Sequence, residues 1–396
     1  MKKNLLFVIP GLSAGGGEKS LVSLLNQLDF NLYNVDLFLL NHDGIFMDLI
    51  PREVNILPLP KDYKIFSMPF HKSIFKFLIH GRILLSYYRT LFSVNNKKTK
   101  NESLKEQDNW KYLSKALSCL DKNYDVAVGF LEKTSTYFCV EKVKADKKIG
   151  WVHIDYNKLG MDPNYDIRYF NKLNHIVTVS EECANILREK FPTEQNKVRV
   201  IHNIVSPAAI KMMADENSSN VFNKKSNEII ILSIGRLHYQ KGFELAIGAC
   251  KNLVELGYKI KWHVIGEGEE RTKLTGLINK YNLQDHFILL GVKPNPYPYI
   301  KQADIFVMTS RFEGKSIAID EAKILNKPIV VTNYPTARDQ LQTGIDGLIV
   351  DMDPKDISKG IEKLIKEKSY REQIISALAT QHLGTEDEIK KFYQII

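Results

Sequence analysis

Short runs of branched and aromatic residues recur along this chain at intervals that leave room for one helix between each pair, and this alternation constrains the fold more than any other feature. The first run is LLFVIP. It is followed by GGEKSLVSLLNQL, where Leu21, Leu24, Leu25 and Leu28 fall at helical spacing, and then by VDLFLL, YDVAVGF (124–130), KIGWVHI (148–154) and HIVTVS (175–180). Strands that are apolar on both faces and separated by helices predict a parallel sheet covered on both sides. After VRVIHNIV the periodicity fails over 206–227, a stretch rich in Ser, Asn and Lys that reads as a linker. A second series follows with EIIILSIG (228–235), KWHVIGEG (261–268), FILLG, DIFVMTS (304–310) and PIVVT (328–332). The expected architecture is therefore α/β, with two Rossmann-like doubly wound domains at 1–205 and 228–380 facing across a cleft. Residues 381–396 are expected to form a helix that crosses back to the N-terminal domain, and the polar stretch 93–108 is expected to be a mobile loop. Ligands of such sheets bind outside the carboxyl ends of the strands.

Composition removes several function classes. With 44% apolar and 26% charged residues the chain is neither disordered nor fibrous. Cys119, Cys139, Cys183 and Cys250 are scattered, with no Cys-x-x-Cys pair, which argues against a zinc site and predicts buried thiols in a reducing compartment. The apolar run Leu5–Ile9 is too short for a signal-peptide core, and no stretch reaches the roughly 20 residues that span a bilayer. A cytoplasmic location follows as an expectation. Most of the net charge of +9 sits between Lys61 and Lys100, where nine basic residues face one acid. Aromatic residues are interleaved with them. Because no nucleic-acid reading motif accompanies this segment, an anionic membrane surface at the inner face of the plasma membrane is the expected partner, met by Lys72, Lys76, Arg82 and Arg89, with an ordinary helix bearing a solvated basic face as the alternative.

Four places could carry chemistry. The loop PGLSAGGGEKS puts Gly16 and Gly17 between a strand and a helix, where backbone can approach an anionic ligand. It is not a Walker A loop, because Glu18 stands where glycine would precede Lys19, and it lacks the dinucleotide glycine pattern. In SIGRLHYQKG, Arg236 and Lys241 follow a strand end and could hold two phosphates. In TSRFEGKSIAIDEA, Glu313 ends a strand and Glu321 lies in the next helix, whose free N–H groups could bind a diphosphate. His153 leaves the strand GWVHIDYN. Taken singly, each fits an ordinary alternative: a tight turn, solvated loop cations, surface-helix glutamates, a core histidine.

Together the GGGE loop, a strand-end histidine, Arg-x-x-x-x-Lys-Gly and E-x-x-x-x-x-x-x-E resemble glycosyltransferase family 4, the retaining family with the GT-B fold, and TVSEECANIL, VIGEGEER and TGIDGLIVDMDPKDIS extend the likeness over the chain. The closest look is to bacterial enzymes of capsule, exopolysaccharide or lipopolysaccharide synthesis. The resemblance implies that a hexose-type sugar is transferred from a nucleotide-diphosphate donor, UDP by family frequency, to a lipid-linked or polysaccharide acceptor. It implies that Gly16 and Gly17 lie against the donor, that Arg236 and Lys241 hold the diphosphate, that Glu313 bonds the sugar and that Glu321 bonds the ribose. Backbone groups of Gly314, Lys315, Ser316 and Ile317 would complete a phosphate cradle, Val292 would meet the base, and His153 would touch the transferred sugar. Lys315-Ser316 departs from the aromatic or aliphatic residue and Gly or Pro that many relatives carry, so the sugar stays unassigned. Asp351-Met352-Asp353 spells a metal-binding pattern, but Asp353 before Pro354 suits a helix N-cap, and no metal or other cofactor is expected. A non-catalytic partner subunit and a GT-B-like nucleotide-sugar epimerase are the alternatives.

Overall fold

The computed structural model describes every residue except Met1, Ala14, Lys100 and 217–219. Lys100 of the basic segment and part of the expected linker thus lie outside the described residues. The chain forms two compact units, one of residues 1–13, 24–202 and 389–396, the other of 14–23 and 203–388.

The first unit is built on seven strands: β1 (Lys3–Ile9), β2 (Tyr33–Leu39), β3 (Asn55–Ile56), β4 (Asn123–Phe130), β5 (Lys144–Val152), β6 (His175–Thr178) and β7 (Val198–Val200), in the order β3-β2-β1-β4-β5-β6-β7. All pairings are parallel. The last five residues of β1 are buried, as apolar composition on both faces requires. Strand order reverses between β1 and β4, so that their carboxyl ends flank a topological switch point. Residues 389–396 close the core, with the Phe392 ring 5.9 Å from Phe7 and 6.0 Å from Trp151.

The second unit carries β8 (Ile229–Ile234), β9 (Ile260–Ile265), β10 (Phe287–Leu289), β11 (Ile305–Met308), β12 (Ile329–Thr332) and β13 (Leu348–Val350), in the order β10-β9-β8-β11-β12-β13. Here too every pairing is parallel, and the switch point lies between β8 and β11. It is there that the sequence places Arg236, Lys241 and Glu313.

Several expectations need correction. The segment read as a linker holds the helix Pro207–Asp215, with Ile210 and Ala214 buried in the second unit. Its apolar spacing was hidden by flanking Ser and Asn. The stretch 93–108 is not a loop: one helix runs Ile83–Lys98 and the next Glu102–Leu113. Asn101 caps the second by accepting from Ser103 N–H and Leu104 N–H at 2.9 and 3.0 Å, and Gln107 exchanges hydrogen bonds with the Asp162 backbone. The polar residues there work as caps and bridges. Cys119 is exposed, unlike the other three thiols. Asp353 caps Pro354–Lys366, accepting from Lys355 N–H at 2.8 Å.

Candidate active site

After β8 the chain runs through Gly235 and Arg236 into a single 3-10 turn, Tyr239–Lys241, which ends on Gly242 at φ +60. Glycine is required at that position, since a Cβ there would meet the Thr309 carbonyl at 2.3 Å. The turn is fixed from outside: Arg311 donates its backbone N–H to Gln240 O at 2.7 Å and its guanidinium to Tyr239 O at 2.6 Å, while pairing with Glu244. Lys241 is thereby aimed at Glu313 just beyond β11. Its Nζ lies 2.5 Å from Glu313 Oε1, which also accepts from Ser310 Oγ at 2.6 Å. Gln240 donates to Phe312 O at 2.8 Å and reaches Glu313 Oε2 at 3.4 Å. The Glu313 carbonyl accepts from Thr336 Oγ1 at 3.0 Å. With 7% of its surface exposed, Glu313 is a buried carboxylate held by a cation, the Ser310 hydroxyl and the Gln240 amide, as burial of a charge demands.

A second carboxylate lies on the helix Ile317–Ile324. Glu321, 2% exposed, pairs with Lys19 and accepts from Tyr297 Oη at 3.1 Å. Lys19 Nζ sits over the Tyr297 ring, 4.6 Å from its centroid. Burial draws the Lys19 pKa down, but the Glu321 charge and Tyr297 outweigh it and the net shift is upward. Burial, then Glu321, push the Tyr297 hydroxyl up to about 12. A third pair is looser, with Arg236 Nη2 3.8 Å from Glu18 Oε1 and the arginine half exposed. Lys19 and Glu18 stand in the first turns of the helix Gly16–Leu25, the part of it that belongs to the second unit. Gly16, at the start of that helix, faces open space where a Cβ would meet nothing within 4 Å.

The structure thus gathers Gly16, Gly17, Arg236, Lys241, Glu313, Gly314, Lys315, Ser316, Ile317 and Glu321 within one unit. One expected role changes. The Ser316 N–H is not open to a phosphate, because it donates to Gln340 Oε1 at 2.7 Å while Gln340 Nε2 returns a bond to Ser316 O at 2.9 Å. Lys315 contributes its carbonyl to Asn203 Nδ2 at 3.2 Å. Val292 is half-buried in the loop after the edge strand β10, next to Gly291, which bridges to Gly266.

His153 belongs to the first unit, directly after β5. Its ring lies 4.6 Å from Phe130 and stacks on Trp151 at 5.8 Å. Both ring nitrogens are buried and have no partner among the described residues. Burial lowers its pKa to about 3, so the imidazole is neutral near pH 7. Its backbone N–H donates to Glu132 Oε2 at 3.3 Å. Glu132 sits in a turn after β4 whose neighbours Leu131 and Lys133 have φ of 83 and 65, a left-handed conformation that costs about 1–3 kcal/mol per non-glycine residue. Burial raises the Glu132 pKa. Strained backbone, a half-buried carboxylate and an unpartnered imidazole coincide at the switch-point edge of this sheet.

Lys19, Tyr297, Gln340 and Glu132 were missed from the sequence. Lys19 was passed over once the Walker A spacing failed; Tyr297, in PNPYPY, and Gln340 have no local signature; Glu132 differs from any loop carboxylate only by its backbone.

The pairing of a strand-end Lys with a buried Glu across the β8/β11 switch point coincides with a family match covering 214–380, described as glycosyl transferases group 1. Residues 214–380 are therefore similar to the glycosyl transferases group 1 family. Relatives extend the group 1 likeness. An uncharacterized glycosyltransferase of Methanocaldococcus jannaschii is 32% identical over 43% of this chain and 42% of its own length. The amylovoran biosynthesis glycosyltransferase AmsD of Erwinia amylovora is 28% identical over 56% and 61%, and the capsular polysaccharide biosynthesis glycosyltransferase CapM of Staphylococcus aureus 27% over 50% and 54%. The chain therefore spans about half the length of the curated relatives it matches. Among solved structures, Anabaena HepE in complex with UDP and glucose superposes with a TM-score of 0.68 at 14% identity, covering 99% of this chain and 98% of that one. S. aureus TarM in complex with fondaparinux, alpha-GlcNAc-glycerol and UDP gives 0.68 at 16% identity, covering 99% of both. The fold is that of the GT-B enzymes, two Rossmann-like domains with parallel sheets.

Proposed function

We propose that this chain is a retaining glycosyltransferase that moves a hexose-type sugar from a UDP-sugar to a lipid-linked or polysaccharide acceptor in cell-surface glycan synthesis, working at the cytoplasmic face of the membrane. The observation that carries the reading is the Lys241–Glu313 pair at the switch point of the group 1 domain. A diphosphate arriving there competes with Glu313 for Lys241 and with Glu18 for Arg236. Glu313, released toward the ligand, accepts from sugar hydroxyls, and Glu321 accepts from the ribose. Lys19, bonded to Glu321 and next to the open Gly16, is a further phosphate or ribose contact.

In the reaction, the bond between the anomeric carbon and the diphosphate oxygen breaks while the acceptor hydroxyl forms a bond to that carbon from the same face. The proton of the hydroxyl passes to the departing phosphate oxygen. Arg236 and Lys241 stabilise the charge that grows on the diphosphate, and no protein nucleophile takes part. A neutral His153 suits a role in placing the sugar by hydrogen bonds. We propose no metal requirement, since Asp353 of the Asp-x-Asp pattern is engaged as a helix cap. Support comes from relatives named for capsular and amylovoran synthesis and from fold neighbours in complex with UDP.

The test is to supply UDP-glucose, UDP-GlcNAc and UDP-GalNAc with lipid-linked oligosaccharide acceptors, in excess chelator, and to determine the product's anomeric configuration by NMR. Transfer with retention is expected. Inversion, or dependence on a divalent cation, would overturn those parts of the reading, and absence of transfer with every donor would remove the reaction.

A further inference from the structure

Between β3 and β4 the first unit inserts four helices, and the middle two, Phe70–Ile79 and Ile83–Lys98, form a hairpin turned at His80-Gly81-Arg82. Gly81, at φ +67, ends the first helix, with Arg82 N–H bonded back to Phe77 O at 2.8 Å. The inner faces pack on the unit through Phe77, Ser73 and Ser86. Arg89, expected from the sequence on the lipid-facing side, is half-buried and turned inward. Its guanidinium donates to Phe66 O at 2.8 Å and Met68 O at 3.2 Å and lies 5.4 to 5.6 Å from the rings of Phe66, Phe70 and Phe92. That correction takes one cation from the outer face.

What the outer face presents instead is apolar. Phe75, Leu78 and Ile79 on the first helix and Ile83, Leu84 and Tyr87 on the second are each 52 to 70% exposed, and both groups flank the Gly81 turn. Lys72, Lys76 and Arg82 surround them, and no acid occurs between Asp62 and Glu102. Six large apolar side chains clustered at one tip mark a surface made to be covered. Two-fold pairing with a second copy would bring cations against cations. An anionic bilayer accepts both features, the side chains entering the acyl boundary while the cations meet phosphate. Neither helix can span: no helix among the described residues is long and apolar enough.

We infer that this hairpin is an interfacial membrane anchor whose tip, Phe75 to Tyr87, inserts into the headgroup and acyl boundary of anionic bilayers, with hydrophobic insertion rather than charge alone holding it. The inference deepens the membrane placement proposed above and rests on the acceptor being lipid-linked, while leaving donor binding independent. It separates from simple electrostatic adsorption through salt.

Because Trp110, Trp151 and Trp262 are all buried, Phe75→Trp places a lone exposed indole at the tip. The full-length Phe75→Trp chain is mixed with phosphatidylglycerol/phosphatidylethanolamine vesicles, and emission and co-sedimentation are followed. A blue shift and pelleting that persist in about 1 M salt, where the Debye length is about 3 Å, are expected. Phe75→Ser/Ile79→Ser/Ile83→Ser is expected to lower the bound fraction at least about tenfold, with its melting temperature and UDP-induced thermal shift unchanged. Lys72→Gln/Lys76→Gln/Arg82→Gln should weaken binding at low salt only. Loss of all binding in salt, an unshifted indole, or a self-associating wild type made monomeric by the triple serine variant would each overturn the anchor. Loss of the UDP shift in the unmodified chain would strike the donor reading instead.

Discussion

Lys241 and Glu313 form the pair whose removal should be felt most at the scale of a single residue. Lys241→Met leaves Glu313 buried with hydroxyl and amide donors but no cation, and the expected cost is about 3–5 kcal/mol in urea unfolding of the second unit. Replacing both, as Lys241→Met/Glu313→Leu, should restore much of that stability while abolishing donor binding. A single variant as stable as wild type would contradict the burial argument. His153 gives a prediction of the opposite kind. Its folded pKa of about 3 lies below the ordinary histidine value of 6.5, so between these values the unfolded chain binds the extra proton. Stability should therefore be complete above about pH 6.5 and fall as pH drops toward 3, by up to about 1.4 kcal/mol per pH unit from this residue. The stability difference between wild type and His153→Phe should change as pH falls from neutral to mildly acidic, with the wild type losing more. Parallel curves would show that the imidazole is protonated freely in the fold.

At the scale of elements, the hairpin depends on Arg89 as a clamp. Arg89→Leu strips donors from the Phe66 and Met68 carbonyls and should cost about 1–3 kcal/mol, seen as faster amide exchange confined to 61–98. Exchange unchanged in that segment would return Arg89 to the surface. Long buried strands such as β1, β4 and β8 were legible because runs of Val, Ile, Leu and Phe between helical patterns have few other solutions. The short strands β3, β7 and β13 were not, since two or three residues carry no period. Polar helices failed for a different reason. Glu102–Leu113 is capped by Asn101 and held by Gln107 and Asn109 bonding to residues outside the helix, and composition there reports solubility rather than structure. Among candidate site residues, Arg236, Lys241 and Glu313 could be named because they follow strand ends, Glu321 because it lies in the next helix, and their roles come from the family resemblance. Gln340 was invisible because its function, occupying the Ser316 N–H, exists only once two loops have met.

Across the molecule, the candidate site of the second unit is electrically closed on itself: Lys241 with Glu313, Lys19 with Glu321, Arg236 with Glu18. A diphosphate must exchange these partners, which favours a polyanion over a neutral sugar. The central claim is that the group 1 domain binds a nucleoside diphosphate through these groups, and titration calorimetry with UDP on the wild type and Glu321→Gln tests it most directly. The account predicts saturable UDP binding by the wild type and an affinity lower by about tenfold or more in Glu321→Gln, the loss of one charge-assisted hydrogen bond to the ribose. A folded wild type that takes up no UDP, or a variant that binds it equally well, would contradict the account.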